Sequence, residues 1–269
     1  MLYWIILFSG GPFRMAKTIC VALRKGGSGK TTTSTNIAAG LQLRGKKTAF
    51  VDLDDQANGS MCLGINPFDL KYSIADLFTN VSLSTQDVVQ QTEYGLSVIP
   101  ASQELEQVAA GMTARSIGQL KPIVEDLKTD NDYIVIDTQP GHGYLSLSAL
   151  VASDYVVIPL QAHYLAMEGV ARIMDDISKV KNGLNPGLSV LGIVPCMVQG
   201  TTIARGVLDK TKEDYPGLVL PVEIRLSVQF VNSTLEGKPL VISAPNHAGA
   251  KEYMGLVDII IDRLESDHG

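Results

Sequence analysis

The run Lys25-Gly26-Gly27-Ser28-Gly29-Lys30-Thr31-Thr32 constrains the rest of the chain most. It lies where an apolar strand candidate, Thr18 to Leu23, gives way to a helix candidate running from about Thr31 to Arg44. A strand-to-helix turn is the setting a phosphate-binding loop needs. Gly26, Gly27 and Gly29 let the backbone turn successive N–H groups toward one anion, and the free amides that open the helix add partial positive charge. Lys30 is placed to reach the β- and γ-phosphates of a nucleoside triphosphate, and the Thr31 hydroxyl to ligate magnesium. The strict spacing GxxxxGK[ST] nevertheless fails, because Arg24 occupies its first glycine position and a second lysine, Lys25, stands five places before Lys30. A cation at the mouth of a loop already rich in donors points outward, to a nucleotide held by a second copy of the protein. The bland alternative is a glycine-rich turn beside a surface lysine, which the flanking strand and helix disfavour.

Two further strands end in acids. The stretch from Thr48 to Asn58 is a buried strand that runs into two carboxylates, Asp52 and Asp54, and Tyr133 to Asp137 is apolar up to its closing carboxylate. In parallel sheets the carboxyl ends of the strands line the ligand crevice, so acids there face the phosphates. Asp54 is expected to hold the magnesium shell or orient an attacking water, Asp52 to support the phosphate loop from beneath, and Asp137 to bind the cation directly or through water. An acid after a strand can also be a helix cap or a turn residue. Strand and helix candidates alternate to the end of the chain: strands 96–100, 155–160, 189–194 and 219–222, helices 74–78, 86–91, 103–110, 117–128, 166–181, 203–215 and 249–264. That alternation predicts an α/β, P-loop NTPase-like fold, a mostly parallel doubly wound sheet flanked by helices in a single domain.

Bulk properties narrow the function. Of 269 residues 45% are hydrophobic and only 19% charged, enough to bury a sizeable core, and the formal net charge of -6 argues against wholesale coating by nucleic acid. Any such binding needs a local basic face, created for instance by dimerisation. Cys20, Cys62 and Cys196 form no CxxC pair and read as buried, reduced thiols. Arg115, Lys121 and Lys128 read as solvated helix charges, and His142 and His163 as ordinary polar contacts. The run Leu2-Tyr3-Trp4-Ile5-Ile6-Leu7-Phe8 is far shorter than the roughly 20 residues that span a bilayer. Residues 1–14 are therefore expected to be an extension, either a membrane-touching tail or a segment upstream of a natural start at Met15, with one phosphate-loop domain over 15–269.

Taken together, these residues resemble the deviant P-loop ATPases of the ParA/Soj and MinD group. The pattern KGGxGKTTT matches Lys25 to Thr33, DxDxQxN matches Asp52 to Asn58, and the acidic strand matches at Asp137. The similarity continues through Ile158 to Ala162, Ala166 to Gly169, Ile224 to Ser227 and Gly237 to Leu240, and its detail favours the ParA/Soj branch. Two departures stand beside the hydrolytic centre: Asp55 where that branch usually has proline, and Thr138-Gln139-Pro140 in place of a more common double proline.

The resemblance implies slow, partner-stimulated ATP hydrolysis with Mg2+ in a sandwich homodimer, Lys25 reaching across to the partner's nucleotide while residues 26–32 bind in cis. It implies base contacts from Pro195 to Met197 and from Pro221 to Glu223. It also implies non-specific DNA binding, with Arg205, Lys210, Lys212 and Arg225 as candidates and Lys251 behind them, although Asp209, Glu213 and Asp214 dilute that signal. A ParB-like adaptor and a cytoplasmic, nucleoid-associated location complete the expectation. The rivals are a MinD-like membrane-cycling ATPase, which the acidic end from Asp258 to Asp267 disfavours, and a biosynthetic ligase on a dethiobiotin-synthetase-like scaffold. An iron-protein-type reductase is weaker, since it needs cysteines placed to hold a cluster.

Overall fold

The computed structural model describes residues 16–141, 143–163 and 166–266. The apolar run at residues 2–8 and His142 lie outside the described residues. From β1 (Lys17–Val21) the chain enters α1 (Lys30–Leu43), then β2 (Thr48–Leu53), and passes through short helices α2 (Asn58–Cys62), α3 (Ile74–Thr79) and α4 (Thr85–Val88). Strands β3 (Gln90–Gln91) and β4 (Ser97–Ile99) precede α5 (Glu104–Gly111) and α6 (Leu120–Lys128). Next come β5 (Tyr133–Thr138), α7 (Tyr144–Val151), β6 (Tyr155–Gln161), α8 (Ala166–Gly183) and β7 (Ser189–Cys196). Helices α9 (Thr202–Asp214), α10 (Gln229–Leu235), α11 (Leu240–Ser243) and α12 (Ala248–Glu265) follow.

Among the described residues seven strands form one sheet in the order β3-β4-β2-β5-β1-β6-β7, parallel except at the β3 edge. The central strands are apolar on both sides because helices cover both faces. Successive residues alternate between two cores: Cys20, Val51, Ile134 and Ile136 meet α6, α7 and α8 on one face, while Ile19, Val21, Phe50 and Val135 meet α1 and α12 on the other. The order places β1 between β5 and β6, so the β1-to-α1 turn opens at the carboxyl edge beside the acidic ends of β2 and β5.

Three expectations change. Residues 219–222 do not form a strand: Val219 makes one isolated parallel bridge to Ile193, and the ladder does not continue because its next donor would be the N–H of Pro195 on β7, which has none. The expected helix at 86–91 shortens to α4, after which Val89 turns extended and Gln90–Gln91 joins the sheet edge antiparallel to β4. The expected helix at 117–128 starts only at Leu120, since a capped 3-10 turn takes Ala114–Ser116.

Helix α1 carries the phosphate loop on its first turn and is clamped between the sheet and α12. At Gly40 the two helices approach so closely that an added Cβ would lie 2.6 Å from Val257 Cγ2. Overpacking a tight contact typically costs about 1–3 kcal/mol. Gly40→Val is therefore expected to lower the urea midpoint with an unchanged slope; an unaltered midpoint would show that α12 yields freely.

Candidate functional site

The phosphate loop takes the shape its glycines permit. Gly27 and Gly29 hold φ values of 69° and 87°, in the left-handed region open to glycine, and Gly29 caps α1. Lys30 is 6% exposed and curls back over the loop, its ammonium donating to the Lys25 carbonyl at 3.1 Å, where the Ser28 hydroxyl also donates. Burial pushes the Lys30 ammonium below the usual lysine range, while Asp137 and Asp54 pull it back up. A cavity of about 660 Å³ opens at the loop, lined by Gly26 to Thr32 and by Asp54.

Beneath Lys30 stand the acids. Asp52 and Asp137 are register partners on β2 and β5, and alternation with Phe50 and Val135 turns both carboxylates toward the α1 face. Asp52 does not support the phosphate loop as expected. Its oxygens accept from the Ser60 amide (2.7 Å), the Ser60 hydroxyl (2.8 Å) and the Asp54 amide (3.1 Å), so it fastens the turn after β2. Gly59 is required for that approach, since a Cβ there would lie 2.9 Å from Asp52 Oδ2. Burial pushes Asp52 up to about 6 against these bonds.

Asp137 is fully buried, and neither of its oxygens completes a hydrogen bond of good geometry among the described residues. Burial and the neighbouring Asp52 push it up to about 8, partly offset by the Thr31 hydroxyl and Lys30. A buried, orphaned carboxylate beside a threonine hydroxyl is a hard-oxygen donor set, and with Asp54 at the cavity wall it fits a magnesium ion. Asp54 is 6% exposed, accepts from the Gln56 amide, and is raised by burial.

Lys25 behaves unlike Lys30. It is partly exposed, does not line the cavity, and its ammonium makes no hydrogen bond or ion pair among the described residues. Asp55 lines the cavity too, as do Gln139 and Pro140 from the loop after Asp137. Two lining residues carry no sequence signal: Cys62 from α2 and Thr234 from α10, which are themselves in contact at 3.6 Å. On the expected base side only Met197 reaches the cavity. It does so at φ 51°, strained for a side chain with Cβ, and it also borders an apolar cavity of about 330 Å³ with Ile224 and Phe230. Pro195 is buried in β7, while Pro221 and Glu223 line neither cavity.

The four leading candidates for DNA binding are all paired, whereas the exposed Lys251, named behind them, makes no ion pair among the described residues. Arg205 meets Glu223 at 2.6 Å, Lys210 meets Asp214 at 2.6 Å, Lys212 meets Asp209 at 4.0 Å and Arg225 meets Glu252 at 2.5 Å. His163 contributes a backbone bond to the Gln161 carbonyl, and all three cysteines are buried and free. No helix among the described residues is long and apolar enough to cross a membrane.

Comparison with known proteins shows the family of the chain. A family model described as an AAA domain matches residues 16–190. Sporulation initiation inhibitor protein Soj of Bacillus subtilis (strain 168) is 33% identical over 245 residues, spanning 90% of this chain and 97% of its own. Chromosome partitioning protein ParA of Myxococcus xanthus (strain DK1622) is 32% identical over 246 residues, 90% of this chain and 87% of its own. Among solved structures, cobyrinic acid a,c-diamide synthase from Mycobacterium smegmatis with bound ADP and magnesium superposes with a TM-score of 0.81 at 30% identity, covering 94% of this chain and 97% of its own. The McdA(D38A)–ATP complex of Cyanothece shares the fold, with a TM-score of 0.82 at 22% identity over 92% of this chain and 96% of its own.

The buried acids make stability depend on pH. A carboxyl raised from 3.8 to about 8 on folding takes up a proton, so its contribution is complete below about pH 4 and is lost as pH rises toward 8. Without nucleotide or magnesium, the melting temperature is expected to fall from pH 5 to pH 8. Asp137→Asn should flatten that fall and melt above wild type at pH 8; a wild-type profile that is level across this window would contradict the assignment.

Proposed function

Because the chain belongs to the ParA/Soj-type ATPases of the ParA/MinD superfamily, we propose that it partitions plasmid or chromosomal DNA, or positions another cargo, as an ATP-dependent dimer. It is an ATP hydrolase that uses ATP and magnesium. The observation that carries the dimer reading is the division between two lysines: Lys30 is spent inside its own loop, whereas the Lys25 ammonium has no partner within the described chain. Two such cations brought face to face repel each other, and triphosphates lying between them remove that repulsion. Dimerisation thereby becomes conditional on ATP.

Within one protomer the amides of Gly26 to Thr32 and the Lys30 ammonium bind the phosphates, and Met197 packs on the base side, with Pro195, Pro221 and Glu223 as further base-side candidates. Thr31, Asp54 and Asp137 hold magnesium, which when bound polarises the phosphoryl oxygens. Asp54, at the cavity wall, orients the attacking water for slow hydrolysis.

The dimer is proposed to hold DNA without sequence preference through Arg205, Lys210, Lys212 and Arg225. Exposed ion pairs of this kind are worth little, so phosphate groups compete for these cations, most effectively at low salt. A ParB-like adaptor is the proposed activator, and a nucleoid-associated, cytoplasmic site of action follows. The likeness to cobyrinic acid a,c-diamide synthase favours one other reading, a biosynthetic use of ATP on the same scaffold. Turnover stimulated by DNA with an adaptor, rather than by a small acceptor, separates the two.

Lys25→Ala is expected to bind nucleotide with near wild-type affinity yet remain monomeric with ATP by light scattering; a dimer of normal stability rejects the cross-interface role. Retention on non-specific DNA should require ATP and fall steeply between roughly 50 and 200 mM salt. Retention indifferent to salt or nucleotide would exclude phosphate contacts made by the dimer.

A further inference from the structure

Arg24 stands where the strict phosphate loop has its first glycine, and the structure gives it a use outside the nucleotide cavity. Its guanidinium forks onto Asp176 of α8, Nε to Oδ2 at 2.7 Å and Nη2 to Oδ1 at 2.5 Å. The Asp176 side chain is 4% exposed and that of Arg24 24%, so this bidentate pair is largely shielded from water. The neighbouring Asp175 meets Lys179 on the solvent side of α8, which makes the inward turn of Asp176 distinct.

Through its backbone the same arginine reaches the acidic strand. The Gly141 amide donates to the Arg24 carbonyl at 3.0 Å, and the Thr138 hydroxyl donates to the Val21 carbonyl at 2.9 Å. These two bonds join the segment after Asp137 to the segment entering the phosphate loop. A cavity of only about 10 Å³, lined by Leu23, Arg24, Gln139, Gly141, Ser146 and Asp176, lies beneath that junction. The Ser146 hydroxyl is buried there with no partner among the described residues. The ion pair is the directional contact across that junction, since a guanidinium fork on a carboxylate restrains both distance and plane.

We propose that Asp176 is a positioning residue for the metal: by holding Arg24 it sets the separation between Asp137 and Thr31, and so how strongly magnesium tightens nucleotide binding. This rests on the reading of Asp137 and Thr31 as magnesium ligands. The phosphate contacts of residues 26–32 do not run through α8, so nucleotide affinity without metal is independent of the pair.

The test is a titration of the full chain with a fluorescent ADP analogue, in magnesium and in chelator, for wild type, Asp176→Asn, Arg24→Gln and the double variant. The double variant leaves no unpaired buried charge and serves where a single one fails to fold. Expected is a magnesium-dependent tightening in wild type that shrinks about tenfold in each folded variant, about 1.4 kcal/mol, with chelator affinity within about threefold of wild type. Asp176→Glu, which keeps the carboxylate, should recover part of the tightening. Full tightening in every variant overturns the proposal while leaving the magnesium site intact. Chelator affinity falling in parallel overturns it too, since the pair would then support the phosphate loop as a whole. No magnesium effect in wild type removes the site assignment itself.

Discussion

Two carboxylates on neighbouring strands of a dry parallel sheet cannot both ionise without a counter-charge, and the carboxyl edge of this protein is built around that conflict. Asp52 resolves it locally, with hydrogen bonds from Ser60 and from the Asp54 amide. Asp137 has no such answer in its own chain, since both its oxygens lack a well-formed hydrogen bond among the described residues. The fixed charge nearest in function is the Lys30 ammonium, itself destabilised by burial and already donating to the Lys25 carbonyl. The edge is therefore less stable than an apolar one, and a divalent cation bound there would offset the charge that the sheet concentrates.

Much of this architecture was legible before any coordinates. The strands that bear the site read clearly because they are buried on both faces, giving continuous apolar runs at 18–23, 48–53 and 133–137 that end in glycines or acids. The weakly patterned stretches were not legible. Gln90–Gln91 joins the sheet by lying beside β4, and nothing in two glutamines announces a strand. At 219–222 the local pattern favoured a strand, and Pro195 on the neighbouring β7 overrode it by withholding the next N–H of the ladder. Helices α2, α10 and α11 are too short for periodicity to register, yet α2 and α10 deliver Cys62 and Thr234 to the cavity wall.

The site divides along the same line. Residues contiguous in sequence, from Gly26 to Thr32, come together because the turn itself assembles them. The distinct tasks of Asp52 and Asp54 could not be told from spacing alone, since the two stand one residue apart at the end of the same strand; only the partners of each carboxylate separate a structural acid from one at the cavity. Long-range pairs were invisible for a more basic reason. Arg24 and Asp176 are 152 positions apart, and a lone arginine in a loop and a lone aspartate in an amphipathic helix each have many ordinary explanations. Likewise Pro221 and Glu223 line neither cavity, while Met197 reaches both with a left-handed backbone that its type does not announce.

Charge sets the last constraint on how such a protein could hold a polyanion. The chain carries a formal net charge of -6, and each of the four late cations sits against a carboxylate, so one protomer offers DNA no uncompensated basic face at those positions. Replacing a carboxylate by a phosphate at one exposed cation gains almost nothing, because the pair given up and the pair formed are of similar kind. The gain comes from number: counterion release scales with the count of phosphates neutralised, and a second protomer held rigidly beside the first doubles that count. Weak, acid-balanced cations thus suit a switch better than a strongly basic patch would, since a patch able to hold DNA alone would hold it in the monomer as well, and nucleotide would then control nothing.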